Sequence, residues 1–232
     1  MILSFFIRYL MTYTQLTGLS TQHLSVVNPH RQLHHDCISS FKALEIAAKK
    51  AGFTLTIASS FRDFERQLMI WNNKFTGIRP ILGTDSKVLD TNKMSDIEKI
   101  HAIMRWSALP GGSRHHWGTD LDVYASNHLP KGVTLQLEPW EYETGHQKEF
   151  SLWLFENAPK YGFFFPYKHD KKGVAIEPWH LSYKTTSDKY MSQLTPEHLL
   201  QAWRNVELAG KESIIKHIDI LFHRYIMNIN KE

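Results

Sequence analysis

The sequence predicts an α+β domain, a small antiparallel sheet flanked by helices. Segments with helical apolar spacing precede, interrupt and follow a few short alternating segments, rather than interleaving with them strictly. The stretches between them are rich in Gly, Pro, Asp and Asn and contain no long linker. No internal repeat or low-complexity tract divides the 232 residues, so they fit one domain.

Taken in order, residues 36–51 place Phe41, Leu44, Ile46 and Ala48 at helical spacing, with Gly52 as the stop. Residues 53–59 (FTLTIAS) alternate and read as a strand. A helix is expected over 63–75 and a loop over 76–94. Ser95 and Glu98 form a capping box that opens a helix to about Ala108. Pro110-Gly111-Gly112 is a turn, and residues 119–125 (TDLDVYA) alternate again as a strand. Residues 149–162 read as a helix stopped by Gly162, and 173–183 as a strand in which Pro178 marks an edge or a bulge. Thr195 caps a helix with Pro196 at its first position, and two terminal helices divide near Gly210. Residues 1–35 read as an N-terminal extension packed on the domain, 36–190 as its main body and 191–232 as C-terminal helices belonging to it.

The composition, 42% hydrophobic and 22% charged, allows a core that needs no staple. The net charge of +4 is mild and no run of Lys and Arg occurs, so no nucleic-acid partner is expected. Cys37 is the single cysteine, which excludes an internal disulfide and Cys-based zinc sites; it reads as a small core residue. The opening MILSFFIRYL is interrupted by Arg8, a poor signal peptide and too short for a membrane helix, and Met11 is an alternative start. The expectation is a cytoplasmic monomer without a membrane partner, with a periplasmic placement the alternative.

The stretch Ser113–Asp122 (SRHHWGTDLD) concentrates the chemistry. Alternation puts Asp120 and Asp122 on one face of a strand and Leu121 and Val123 on the other. Two carboxylates on one face repel unless a cation or donor lies between them. Gly118 lets the backbone fold so that His115 can approach them. A His, an Asp and a further ligand make a three-ligand zinc site with an open position. His180 offers that further ligand, and Glu177, three residues before it, is placed as general base. Arg62, between a strand and a helix, can supply positive charge to a developing oxyanion. Its competing reading is a surface ion pair with Asp63 or Glu65.

The pattern Ser113-x-His115-x-x-Gly118-x-x-x-Asp122, the later Glu177-x-Trp179-His180 and the earlier Ser59-x-x-Arg62 with Gln67 resemble the VanY-type D-alanyl-D-alanine carboxypeptidases. These are zinc peptidases of bacterial cell-wall metabolism, and the family includes L,D-carboxypeptidases. The resemblance spans about residues 36–185, and the blocks occur in the family's order. It implies the zinc D,D-peptidase (hedgehog-like) fold, with 36–190 as the zinc carboxypeptidase domain. It implies Zn2+ on His115, Asp122 and His180, Glu177 as base, and Arg62 on the substrate carbonyl. It also implies Ser113 as a substrate contact and Gln67 on the terminal carboxylate. Asp120 departs from the family's usual small residue; it is expected to face substrate, with orienting a ligand histidine or contacting the metal as alternatives. His115 fits the spacing to Asp122, which leaves His116 a supporting or substrate-facing place. The partner expected is a peptidoglycan-derived peptide losing its C-terminal D-alanine, preferably by L,D cleavage of tetrapeptides in wall recycling. D,D cleavage of pentapeptides, a phage-type endolysin and a non-catalytic zinc module that binds a peptide are the alternatives.

Overall fold

The computed structural model describes residues 10–84 and 86–231; the apolar opening segment 1–9 and its alternative starts at Met1 lie outside them. The chain begins with a short helix, α1 (Tyr13–Leu16), and a hairpin of β1 (Leu24–Asn28) and β2 (Arg31–His34). This hairpin was not anticipated within the N-terminal extension, although Asn28-Pro29 is a turn signal. It docks through His34 N–H, which donates to the Gly118 carbonyl at 2.8 Å, and through buried Leu33.

The main body follows the expected α+β order. Helix α2 (Ile38–Lys50) buries Phe41, Leu44 and Ala48, which lie three and four residues apart on one face. Ile46 was expected among them but falls off that stripe and is 56% exposed. Cys37, at the foot of this helix, is a buried core residue as expected, and burial pushes its thiol pKa up. Strand β3 (Leu55–Ser59) leads to α3 (Phe64–Phe75), whose N-cap is Asp63, accepting from Arg66 N–H at 2.7 Å. Helix α4 (Asp96–Met104) opens on the Ser95/Glu98 capping box but ends before the predicted Ala108.

Strand β4 (Asp120–Ala125) follows the turn at Arg114–Trp117. Helices α5 (Pro139–Glu143) and α6 (Lys148–Asn157) come next, α6 tightening through residues 158–161 before Gly162. Strand β5 (Phe163–Phe164) then pairs with β6 (His180–Tyr183). The sheet order is β3-β4-β6-β5, antiparallel throughout. The strand expected over 173–183 is therefore only its last part. Residues 177–180 form a turn closed by His180 N–H donating to Glu177 carbonyl at 3.1 Å. Pro178 sits at the second position of that turn, where its fixed φ is favoured. Helix α7 (Lys184–Met191) follows at once, then α8 (Pro196–Ala202), α9 (Lys211–Lys216) and α10 (Ile218–Leu221).

Two apolar clusters flank the sheet. One gathers Leu121, Val123 and Leu181 from the strands with Phe41 and Leu44 of α2 and Phe150 and Leu154 of α6. The other joins Trp71 of α3, Ile100 and Ile103 of α4, and Leu199 and Trp203 near α8. Asp120, Asp122 and His180 lie on the opposite strand face from Leu121 and Val123. Asp122 and His180 on that face line a cleft.

Candidate active site

Register places the acidic and imidazole groups together. Asp122 of β4 stands directly across from His180 of β6, and Asp120 across from Ser182. His115 enters from the turn before β4. Gly118 ends that turn at φ 67°, and a Cβ there would lie 2.4 Å from a Leu24 methyl and 2.8 Å from His34 N. Only glycine combines that conformation with so close an approach.

The ligand atoms of His115, Asp122 and His180 lie within 4.8 Å of one another. His115 Nδ1 lies 2.9 Å from the Ser60 carbonyl, which can only accept, so Nδ1 carries the proton and Nε2 is left as a lone pair 3.4 Å from Asp122 Oδ2. His180 Nε2 lies 3.0 Å from Asp120 Oδ1, leaving Nδ1 between Asp122 at 3.2 Å and Glu177 at 3.3 Å. Asp122 Oδ1 is a buried oxygen with no hydrogen-bond donor. Two imidazole lone pairs and an orphaned carboxylate oxygen facing one another need a cation, and this nitrogen and oxygen donor set fits zinc. Electrostatics shows how strongly these groups draw on positive charge. Burial by itself would raise the Asp122 pKa, but His115 and His180 hold it well below the usual range. Burial would lower that of His180, yet Asp120, Asp122 and Glu177 raise it well above 6.5. Asp120 is already paired to Arg114, and the three converging ligand groups include no permanent cation.

Asp120, expected to face substrate, has no exposed surface. Its carboxylate accepts from Arg114 Nε at 2.7 Å, Thr119 Oγ1 at 2.7 Å and Ser182 Oγ at 3.0 Å, besides His180. Substrate cannot reach it; it orients a histidine instead. Arg114 is itself buried, with its guanidinium 4.8 Å from the Trp117 ring.

His116 is fully buried and spent. Its Nδ1–H donates to Arg62 carbonyl at 2.6 Å and its Nε2 accepts from Gly111 N–H at 3.0 Å. Burial lowers its pKa to about 3, so it is a neutral cross-link between the Arg62 loop and the Pro-Gly-Gly turn.

Arg62 forms no ion pair with Asp63 or Glu65. It lines the cleft and donates to Gln67 Oε1 at 2.9 Å and Ser59 Oγ at 3.2 Å. Gln67 has no exposed surface, and its amide N–H donates to Ala108 carbonyl at 2.7 Å. The expected contact of Gln67 with a terminal carboxylate therefore finds no open surface; Gln67 braces Arg62. Ser113 lines the cleft, and its hydroxyl makes no hydrogen bond among the described residues. Glu177 lies at the cleft wall, 9% exposed. The cleft encloses about 420 Å³.

Sequence reasoning missed two cleft residues. Tyr167 sets its ring edge-on to His180 at 4.9 Å, and its carbonyl accepts from Glu177 N–H at 3.1 Å. Lys74 lines the wall formed by α3. Nothing in their local sequence marks either one.

Comparison with known proteins places this geometry. The VanY D-alanyl-D-alanine carboxypeptidase family model matches residues 30–186. An uncharacterised protein of Haemophilus influenzae is 41% identical over 122 residues, 51% of this chain and 93% of its own. The structure of VanYB in complex with D-alanine-D-alanine shares the fold, with a TM-score of 0.53 and 21% identity over 82% of this chain and 94% of that one. A mutant vancomycin-resistance D,D-pentapeptidase VanY in complex with Zn(II) gives a TM-score of 0.50 and 25% identity, covering 78% of this chain and 92% of its own. The family match takes in more than half of the chain and every residue of the cluster just described: the chain belongs to the VanY D-alanyl-D-alanine carboxypeptidase family.

Proposed function

We propose that the protein is a zinc-dependent carboxypeptidase that removes the C-terminal D-alanine from peptidoglycan peptides, acting by preference as an L,D-carboxypeptidase on tetrapeptides. The observation that carries this is the convergence of His115, Asp122 and His180 beside Glu177 in an open cleft. The family match and the zinc-bound VanY relative support the metal and the substrate class.

His115, Asp122 and His180 would hold the zinc ion, which would supply Lewis acidity and a water of lowered pKa. The chain's own residues do the rest. Glu177 accepts a proton from the attacking water and passes it to the departing amine nitrogen as the peptide C–N bond breaks. Arg62, held by Gln67 and Ser59, faces the carbonyl oxygen that gains charge. Ser113 offers its hydroxyl to the substrate backbone.

The L,D preference rests on shape and compartment. A tetrapeptide places a long diamino-acid side chain beside the scissile bond, where a pentapeptide places a methyl. Trp106, Leu137 and Ile226 line the same cleft and offer that longer chain apolar surface. In the cytoplasm, the placement expected from the sequence, L,D cleavage would spare the pentapeptide precursors made there.

Incubating the zinc-loaded protein with tetrapeptide and pentapeptide, followed by mass spectrometry, tests the reading. Loss of one alanine from the tetrapeptide is expected; loss from the pentapeptide alone refutes the L,D preference. Glu177→Gln should keep its zinc while kcat drops about 1,000-fold. Undiminished turnover in that variant refutes the role of the base.

A further inference from the structure

A carboxypeptidase has to recognise the free carboxylate at the end of its substrate as well as the bond it cuts. The residue expected for that contact, Gln67, is sealed in by Arg62 and Ala108. Lys74 lies seven residues further along α3, two helical turns on, and so on the same face as Gln67 and cleft-lining Ile70. Helical side chains lean toward the N-terminus, and Lys74 does so here. Its ammonium donates to Ser107 Oγ at 2.8 Å, next to the Ala108 carbonyl that holds Gln67. The charged end of Lys74 is thus brought back toward Arg62 rather than out along the helix.

An ammonium has three donors, and Ser107 takes one. No carboxylate of the described residues pairs with it. Burial and the charges of Arg79 and Arg62 lower its pKa and Glu177 raises it, so an anion arriving beside it would favour the charged form. A half-buried cation, two free donors and a place in the catalytic cleft are what a terminal carboxylate needs.

We infer that Lys74 binds the carboxylate of the C-terminal alanine, with Ser107 as the positioning residue that turns the ammonium toward Arg62. The inference rests on the carboxypeptidase reading above and assigns the substrate contact that Gln67 cannot make. Lys74 is then what makes the enzyme act at chain ends.

The test is discrimination between a peptide ending in D-alanine and the same peptide ending in D-alaninamide. The wild-type protein should favour the free acid about 100-fold in kcat/KM, as sites built for a polar group reject analogues lacking it. In Lys74→Met that preference should fall to within about threefold, through KM on the free acid, with zinc content unchanged. Lys74→Arg should keep most of it. Should Lys74→Met fail to fold, Lys74→Gln, which retains a donor to Ser107, should show the same collapse. An acid-to-amide ratio untouched by these replacements overturns the inference. A wild-type ratio near one does so without any variant. Cleavage of neither peptide by the wild-type protein, with no alanine or alaninamide released, is a different result, because it overturns the activity itself.

Discussion

Among the described residues two clusters of histidine and aspartate could hold a metal ion, and they are built differently. At the end of the hairpin, His34, His35 and Asp36 also bring ligand atoms within 4.8 Å of one another. They are neighbours in sequence, and their lone pairs are largely spent. His34 Nδ1 accepts from Asp36 N–H at 3.1 Å, and Asp36 Oδ2 accepts from Thr186 hydroxyl at 2.9 Å. The side chains of His35 and Asp36 are 59% and 41% exposed, so water satisfies what remains. At the active site the order is reversed. The ligands come from a turn and two paired strands, and the outer nitrogen of each histidine is committed to a carbonyl or a carboxylate. The inner atoms are left facing one another, with Asp122 Oδ1 unpaired. Proximity is common to both clusters. Lone pairs held free by outer partners distinguish the second.

The sharpest way to break the comparison is to remove one carboxylate from each cluster. Asp122→Asn should take bound zinc from one per chain to near zero by elemental analysis, and alanine release with it. Asp36→Asn should leave both within about twofold. A second bound metal per chain that vanishes with Asp36→Asn would erase the distinction.

Asp120 offers the next largest effect because it serves the metal through His180. Asp120→Asn should weaken zinc about 10–100-fold in chelator competition, as losses of such outer partners do. It also leaves Arg114 buried without its partner, which costs about 3–5 kcal/mol. The double replacement Asp120→Ala with Arg114→Met separates the two consequences. Stability in urea should recover because no charge is left stranded, while zinc affinity stays low. Recovery of both would reduce Asp120 to a packing element.

What the sequence makes legible here is what period and spacing encode. Alternation over 119–125 puts Asp120 and Asp122 on one face, and both do touch the His180 ring. The three-residue spacing of Glu177 and His180 brings their side chains together, though through a proline turn and not through the strand that alternation suggested. Long-range closure is not legible. That Asp120 is buried depends on Arg114, Ser182 and Thr119 meeting it, and neither the residue types nor their spacing announces that closure. Gln67 reads as a substrate contact by position, yet its amide is consumed by a carbonyl 41 residues away. The hairpin escapes for a simpler reason: short strands beside a single Asn-Pro signal look like an extension until Gly118 supplies the partner carbonyl.

The smallest effect concerns acid, and it belongs to the hairpin. His23 is buried against His34, ring centroids 5.5 Å apart, and neither of its ring nitrogens has a hydrogen-bond partner. Burial lowers the pKa of both residues to about 4; for His34 the pull of Asp36 opposes this, and His35, His23 and Lys189 reinforce it. A histidine whose pKa is lower in the folded state than in the unfolded chain favours folding while it stays neutral. Its contribution is complete above the ordinary histidine value of 6.5 and is lost as pH falls from there to about 4, where the unfolded chain takes up protons that the folded one refuses. The urea midpoint of the metal-free protein should therefore fall across that window. His23→Phe should flatten the fall while raising the midpoint at low pH, since it removes a buried, unpartnered group that must not charge. A slope that His23→Phe leaves unchanged would assign the acid sensitivity elsewhere. The hairpin histidines would then be inert packing, and their contrast with the active site would be one of geometry without an energetic counterpart.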